Sequence, residues 1–354
     1  MSKEINVALI GYGFVGKTFH APLIRSVDGL NLAVVASSDE EKVKRDIPNT
    51  TVIASPEEAI LRSDIDLVVI ASPNATHAPL AKLAIEAGKN VVVDKPFTLD
   101  MQEARELIEL AKAHNILLSV FHNRRWDSDY LAIKNVIEQK QIGEIKHFES
   151  HIDRFRPEVR VRWREQNLPG SGLWFDLGPH LIDQALQLFG LPQSVQGNIA
   201  TLRNNGQIND WAHVLLNYPT HKVILHCSML AAGGFTRFTV HGDKGSAVKS
   251  QPDQQEKQLL QGITPQDKEW GLDNDSIILI DETLVPKQQQ TPKGDQSQYY
   301  VGIRNALNGH ASNPVTPLQA LAVMAVLEAA VKSAETGSTQ PLMLTENEIA
   351  QWNK

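Results

Sequence analysis

The sequence predicts an α/β chain of two domains: a doubly wound parallel sheet, then an α+β domain built on a large, mainly antiparallel open sheet. Two textures along the chain and its length carry that prediction. In the first third, short apolar runs recur at Val7–Ile10, Leu32–Ala36, Leu67–Ile70, Val91–Val93 and Leu117–Val120. Apolar runs without polar alternation suit strands buried on both faces, as in a parallel sheet covered by crossover helices. Beyond about residue 120 the pattern changes to period two, the mark of an antiparallel sheet with one exposed or partner-covered face. The 354 residues fit two domains at roughly 150 residues each, and the division is expected at 1–121 and 122–354.

In order along the chain, helical spacing appears between the early strands at Ala78–Ala87 and Met101–His114. Gly88 closes the first of these, and Asp100 can cap the second. A helix is expected from Trp126 to Glu138, followed by strands at Ile145–Arg154, Val195–Leu202, Trp211–Tyr218, Val223–Leu230 and Phe235–His241. Between the first two of those strands, Gly178–Phe189 reads as helix, with Leu181, Ile182, Ala185, Leu186 and Phe189 on one side. Gln251–Gln261 and Lys287–Gln298 read as polar surface excursions. Leu318–Ser333 is apolar enough to pack as a helix against the body.

Composition excludes several function classes. Lys plus Arg is 34 and Asp plus Glu is 41, a net charge of −7, so neither nucleic acid nor an anionic membrane surface is an expected partner. The single cysteine, Cys227, excludes an internal disulfide and a cysteine-based zinc site, and it fits a reducing cytoplasm. No apolar run approaches the roughly 20 residues of a membrane helix, and the N-terminus enters Ile5–Ile10 without a signal-peptide pattern.

Strand one runs into Gly11-Tyr12-Gly13-Phe14-Val15-Gly16, a G-x-G-x-x-G between strand and helix. Gly11 permits the tight turn, Gly13 lets a pyrophosphate approach the backbone, and Gly16 lets the helix sit close to the sheet. Phosphate then meets free N–H groups and the positive end of the helix dipole. The end of strand two reads Ala36-Ser37-Ser38-Asp39, where NAD binders usually place an acidic residue for the ribose hydroxyls. Ser37 and Ser38 leave room for a 2′-phosphate, Lys42 and Arg45 stand close in sequence, and Asp39 reads as a helix cap. The expected cofactor is NADP, with NAD the alternative.

Ser72-Pro73-Asn74-Ala75-Thr76-His77 and Asp94-Lys95-Pro96 each follow a strand, at the carboxyl edge where doubly wound folds bind ligands. A cation at Lys95 could hold a substrate hydroxyl and stabilise a developing alkoxide. Asp176 and His180 are four apart, a spacing that puts both on one helix face. A histidine beside a carboxylate suits proton transfer at neutral pH. The pair could also be metal ligands, but no third or fourth ligand stands at a recognisable spacing, and no metal is expected.

These motifs resemble, in order and spacing, the glucose–fructose oxidoreductase/inositol dehydrogenase (Gfo/Idh/MocA) family, over essentially the whole chain. The resemblance implies a Rossmann dinucleotide-binding domain and NAD(P)-linked oxidation of a sugar or cyclitol alcohol. It implies catalytic roles for Lys95, Asp176 and His180, and cofactor contacts from Gly11, Gly13, Phe14, Val15, Gly16, Ser37, Ser38, Ser72, Pro73, Asn74, His77, Asp94 and Lys95. The family usually has Glu-Lys-Pro where this chain has Asp94-Lys95-Pro96. Val120–Asp127, Arg154–Val159 and Trp174–Gln184 are similar to the NADP-dependent scyllo-inositol dehydrogenase branch.

Arg154, Arg156, Arg160, Arg162 and Arg164 fall within eleven residues, either as a polyol or anion clamp or as a salt-bridged sheet edge with Asp153, Glu158 and Glu165. Arg154 and Arg156, with Asn123 and Arg124 just past the last parallel strand, are the expected substrate contacts. Trp163 and Trp174 could stack on a sugar ring, but core packing is the default for each. Two alternatives stay open: a nucleotide-bound sensor without turnover, and a sugar-active enzyme that retains its cofactor. A one-sided sheet rich in Val, Leu and Ile is expected to be covered in a homodimer or homotetramer.

Overall fold

Val-, Ile- and Leu-rich runs near the N-terminus form parallel strands in the computed structural model, which describes residues 4–233 and 236–353. They are β1 (Ile5–Ile10), β2 (Leu30–Ala36), β3 (Thr51–Ile53), β4 (Leu67–Ile70), β5 (Asn90–Val93) and β6 (Leu118–Val120). Between them lie α1 (Ala21–Arg25), α2 (Glu40–Asp46), α3 (Pro56–Ile60), α4 (His77–Glu86) and α5 (Met101–Ala113). Every side chain of β4 is fully buried, and full burial of a Val, Leu or Ile stabilises by about 1.5–3 kcal/mol. The Asp100 cap forms as expected, with Glu103 N donating to Oδ1 at 2.9 Å.

Strand order is β3-β2-β1-β4-β5-β6. The order reverses between β1 and β4, so the loops after these two strands flank the crevice at which such sheets bind ligands. This compact unit takes in the chain up to Asn123 and two later segments, 255–270 and 295–321. The later segments carry α8 (Gln255–Leu260) and α9 (Ser297–Leu307).

Part of the glutamine-rich sequence expected on the surface is instead interior. Gln255, Gln258 and Gln296 are buried. Gln296 N donates to Gln255 Oε1 at 2.7 Å, and Gln258 Nε2 donates to the Glu269 carbonyl at 2.7 Å. Amide side chains can satisfy backbone groups inside a fold, which composition alone does not reveal.

The second unit comprises residues 124–254, 271–294 and 322–354. It contains α6 (Ser128–Glu138), β7 (Ile145–Asp153), α7 (Leu173–Phe189), β8 (Ser194–Ala200), β9 (Trp211–Asn217) and β10 (Lys222–Ser228). Then come β11 (Phe238–Gly242), β12 (Gly245–Lys249), β13 (Ile277–Asp281) and β14 (Pro286–Gln289). The sheet runs β14-β13-β12-β11-β7-β10-β9-β8 and is antiparallel except where β10 lies parallel to β7. Phe235, the expected start of the strand that becomes β11, lies outside the described residues.

Alternation sorts the faces of this sheet. Phe148 and Ser150 of β7, and Val223, Leu225 and Cys227 of β10, are buried on one face. His147, Glu149 and His151 of β7, and Ile224 and His226 of β10, are half-buried on the other. On the buried face lies α10 (Pro317–Thr336). A Cβ at Gly197 of β8 would stand 2.3 Å from the Ala330 carbonyl oxygen, so glycine there permits the close approach of helix to sheet. Contrary to the sequence expectation, α10 is long and apolar enough to meet the dimensions of a membrane span, but 61% of its most apolar window is inside the protein. The last helix, α11 (Glu346–Trp352), starts in a capping box between Thr345 and Glu348.

Candidate active site

The glycine loop of the first unit meets the steric needs of a dinucleotide turn. Gly11 has φ +101°, and a Cβ there would stand 2.7 Å from the Ala71 carbonyl oxygen. A Cβ on Gly16 would come within 2.1 Å of the Gly11 carbonyl oxygen. A Cβ on Gly13 would meet nothing within 4 Å, so this glycine opens onto free space in front of the loop rather than serving protein packing. That opening fits a pyrophosphate close to the backbone. Phe14 is 54% exposed on the loop, and Val15 is half-buried.

Strand β2 ends at Ala36, so Ser37 and Ser38 are the first residues beyond it. Asp39 is engaged elsewhere: its Oδ1 accepts from Lys42 N at 2.9 Å as the cap of α2, and its own N–H donates to Ser37 Oγ at 3.1 Å. Lys42 folds back onto the glycine loop, donating from Nζ to the Tyr12 carbonyl at 2.8 Å. Arg45, the other nearby cation in sequence, is exposed.

The loops after β4 and β5 are tied together by one buried histidine. The His77 Nδ1 lies 2.9 Å from the Pro96 carbonyl and Nε2 lies 3.0 Å from the Ser72 carbonyl. Burial pulls the His77 pKa below the ordinary histidine value, against the opposing charge of Asp94. The ring is fully enclosed, so it positions both loops instead of reaching a ligand in the crevice. Ser72 Oγ pairs with Thr76 Oγ1 at 2.6 Å, and Asn74 is buried beside the exposed Pro73.

Asp94 and Lys95 are both buried just past β5, and the peptide bond from Lys95 to Pro96 is cis. Asp94 Oδ1 lies 3.8 Å from His20 Nε2, whose ring meets the Tyr300 hydroxyl through Nδ1 at 2.5 Å. Burial opposes ionisation of Asp94, but His20, Lys95 and His77 outweigh it and hold the pKa below the usual aspartate value.

In the second unit, α7 begins at Leu173, ahead of its expected start at Gly178, which brings Asp176 into its first turn. The cause is a cap from far along the chain. Asn209 accepts from Trp174 N on Oδ1 at 2.9 Å, and its carbonyl accepts from Leu173 N at 2.9 Å. Gly172 permits this contact: it has φ +89°, and a Cβ there would stand 2.5 Å from Asn209 Nδ2. Asp176 is half-buried and His180 is buried one turn on. Asp176 Oδ1 lies 3.8 Å from Arg164 Nε.

The arginine cluster divides between partners. Arg162 bonds Glu165 at 3.0 Å, and Glu165 also accepts from Arg203 at 2.5 Å. Arg203, which sequence reasoning missed, is buried and pairs with Asp210 at 2.9 Å as well. Arg164 lies over the Trp163 ring at 4.9 Å, while Trp174 is a core residue whose Nε1 donates to the Leu327 carbonyl. Arg154 and Arg156 are half-buried and continue β7 beside the end of β10 through backbone bonds to Ser228 and Met229. Asn123 is buried in the first unit against Gln296 at 2.9 Å, and Arg124 pairs with Asp127 at 3.1 Å in the second.

Comparison with known proteins accounts for both halves. A family profile described as an oxidoreductase family NAD-binding Rossmann fold matches residues 5–122, and the corresponding C-terminal alpha/beta domain matches residues 134–344. The chain is 50% identical over 347 residues to an uncharacterized oxidoreductase, YdgJ, of Escherichia coli, covering 96% of this chain and 99% of that one. It is 34% identical over 340 residues to the scyllo-inositol 2-dehydrogenase (NADP(+)) IolW of Bacillus subtilis, covering 95% of each. The crystal structure of a putative oxidoreductase from Klebsiella pneumoniae superposes with a TM-score of 0.94 at 69% identity, over 99% of this chain and 98% of that one. The chain belongs to the Gfo/Idh/MocA oxidoreductase family, with a nicotinamide cofactor-binding Rossmann domain.

Proposed function

We propose that this oxidoreductase moves a hydride between NADP and a secondary alcohol of a cyclic polyol or sugar, in the cytoplasm. The observation that carries the reading is the carboxyl edge of the first-unit sheet. There Gly13 opens the loop after β1, and Lys95 is buried on the loop after β5, which His77 ties to the loop after β4. When bound, the cofactor accepts or donates hydride at nicotinamide C4. His180 takes the proton of the substrate hydroxyl in oxidation and returns it in reduction, and Asp176 orients that exchange. Lys95 stabilises the oxyanion that develops as the carbinol C–H bond breaks. Asn123, Arg124, Arg154 and Arg156 are the proposed polyol contacts.

Scyllo-inositol stands first among candidate substrates because IolW is a relative over nearly the full chain. The test is a dehydrogenase screen of inositols and aldoses with NADP and NAD in parallel. Turnover with NADP on a cyclic polyol supports the proposal; NADPH binding with no turnover across the panel would favour a sensor.

NADP preference rests on Ser37 and Ser38 standing where an acidic residue would meet the ribose, with Asp39 held as a cap. Ser37→Asp is expected to weaken NADPH binding about tenfold or more, at least ~1.4 kcal/mol, by setting a like charge against the 2′-phosphate. NADH binding should tighten. Fluorescence titration of both reduced cofactors reads the change, and an unaltered ratio rejects the assignment.

The proposal includes a homo-oligomer assembled through the second-unit sheet. Trp211, Leu215, Ile224, Val248, Ile278 and Ile280 are half-buried on one face of it. Register pairs Leu215 with Ile224 toward one edge of the sheet and Val248 with Ile278 toward the other, two apolar pairs separated by Glu149 and Thr239. Light scattering at micromolar concentration should give at least twice the 39.2 kDa chain mass. A single-chain mass removes this part of the proposal.

A further inference from the structure

The same face of the second-unit sheet carries a cluster of histidines and carboxylates that hydride transfer does not use. On β7, His147, Glu149, His151 and Asp153 alternate onto this face, and strand register sets His226 of β10 beside His151 and His213 of β9 beside His226. Ligand-capable atoms of His151, Asp153 and His226 all lie within 4.8 Å of one another. We propose that these three residues form a binding site for a divalent transition metal of the zinc class, independent of the hydride-transfer reading.

The arrangement of ring nitrogens carries the inference. His151 Nε2 faces Glu149 Oε2 at 3.2 Å, while its Nδ1 faces Asp153 Oδ2 at 3.4 Å. His226 Nδ1 faces His213 Nδ1 at 3.3 Å, while its Nε2 faces Asp153 Oδ1 at 3.7 Å. Each imidazole therefore has one nitrogen engaged by an outer partner and the other directed at Asp153. Metal-ligating histidines are held in this way, with an outer acceptor fixing the tautomer and ring orientation.

Asp153 supplies the anionic centre. Its side chain is 7% exposed, and among the described residues Oδ1 accepts no hydrogen bond. A buried carboxylate oxygen without a hydrogen bond is costly unless a cation or donor meets it. Zinc–nitrogen and zinc–oxygen bonds of about 2.0–2.2 Å give donor–donor edges near 3.4 Å, and the 3.4 and 3.7 Å separations to Asp153 approach that value. Two imidazoles and one carboxylate suit zinc and its neighbours rather than calcium or magnesium. The absence of metal ligands expected at Asp176 and His180 does not bear on this cluster, because its ligands come from two strands paired by the fold.

The test uses the full chain without a histidine tag, stripped with a chelator and titrated with Zn²⁺ by calorimetry and with Co²⁺ by visible absorption. Wild type should bind one equivalent per chain and give a Co²⁺ ligand-field spectrum. Glu149→Gln should weaken binding about 10–100-fold, as loss of an outer partner does. His151→Gln with His226→Gln should abolish the site and the spectrum, while His310→Gln, an exposed histidine of the other unit, should leave both intact. A wild type that takes up no more Zn²⁺ than the double variant overturns the proposal. Should the double variant not fold, a wild type without the Co²⁺ spectrum overturns it equally.

Discussion

Lys95→Met should lower turnover about 10²–10³-fold, the usual cost of removing one preorganised oxyanion donor. Binding of reduced cofactor should stay close to wild type. The side chain is buried at the end of β5, between an ionised Asp94 and the proline whose carbonyl meets His77. Burial limits the positions its side chain can take before substrate arrives, and a charge preorganised in this way stabilises a developing oxyanion most strongly. His180→Asn should cost about 10²–10⁴-fold, the range of general acid–base catalysis. The two variants differ in a second readout. Without its base the His180 variant should lose the pH dependence set by a proton acceptor, whereas the Lys95 variant should keep that dependence at lower amplitude. Steady-state rates across pH, with cofactor affinity measured separately, check both expectations. Wild-type turnover in either variant would remove that residue from the chemistry.

Much of the first unit was legible because its strands are buried on both faces and so read as unbroken Val, Ile and Leu runs. Strand β3 was not, since Thr51–Ile53 is short, at the sheet edge and partly exposed. The start of α7 was hidden by local signals: Gly170-Ser171-Gly172 and Gly178-Pro179 look like breakers, and the cap that overrides them comes from Asn209. Motif residues could be found because spacing along the chain carries them. Long-range partners could not. Arg203 and Asp210 gather around Glu165 only once the strands are paired. The His151–Asp153–His226 cluster depends on parallel pairing of β7 with β10, which an alternating sequence pattern does not disclose.

Arg237 is another such partner, and Arg237→Met should destabilise the fold by about 3–5 kcal/mol, the cost of leaving a buried charge without its counterion. The guanidinium donates to Asp129 Oδ2 at 2.9 Å, Ser150 Oγ at 2.6 Å and Gln184 Oε1 at 2.7 Å, and it lies over the Phe238 ring at 3.9 Å. Burial, reinforced by the charge of Arg124, pulls its pKa below the usual arginine value, with Asp129 opposing, so the carboxylate keeps the charge tolerable inside. Gln184 lies on α7, and the neighbouring Asp183 bonds Arg125 at 2.6 Å. Together these contacts fix the helix that presents His180. Asp129→Leu should cost a similar amount, because it strands the guanidinium. The double variant, apolar at both positions, should lose less stability than either single one, since no unpaired charge remains. Chemical denaturation of the four proteins measures the coupling. Simple addition of the two single losses would show that Arg237 and Asp129 do not act as a pair.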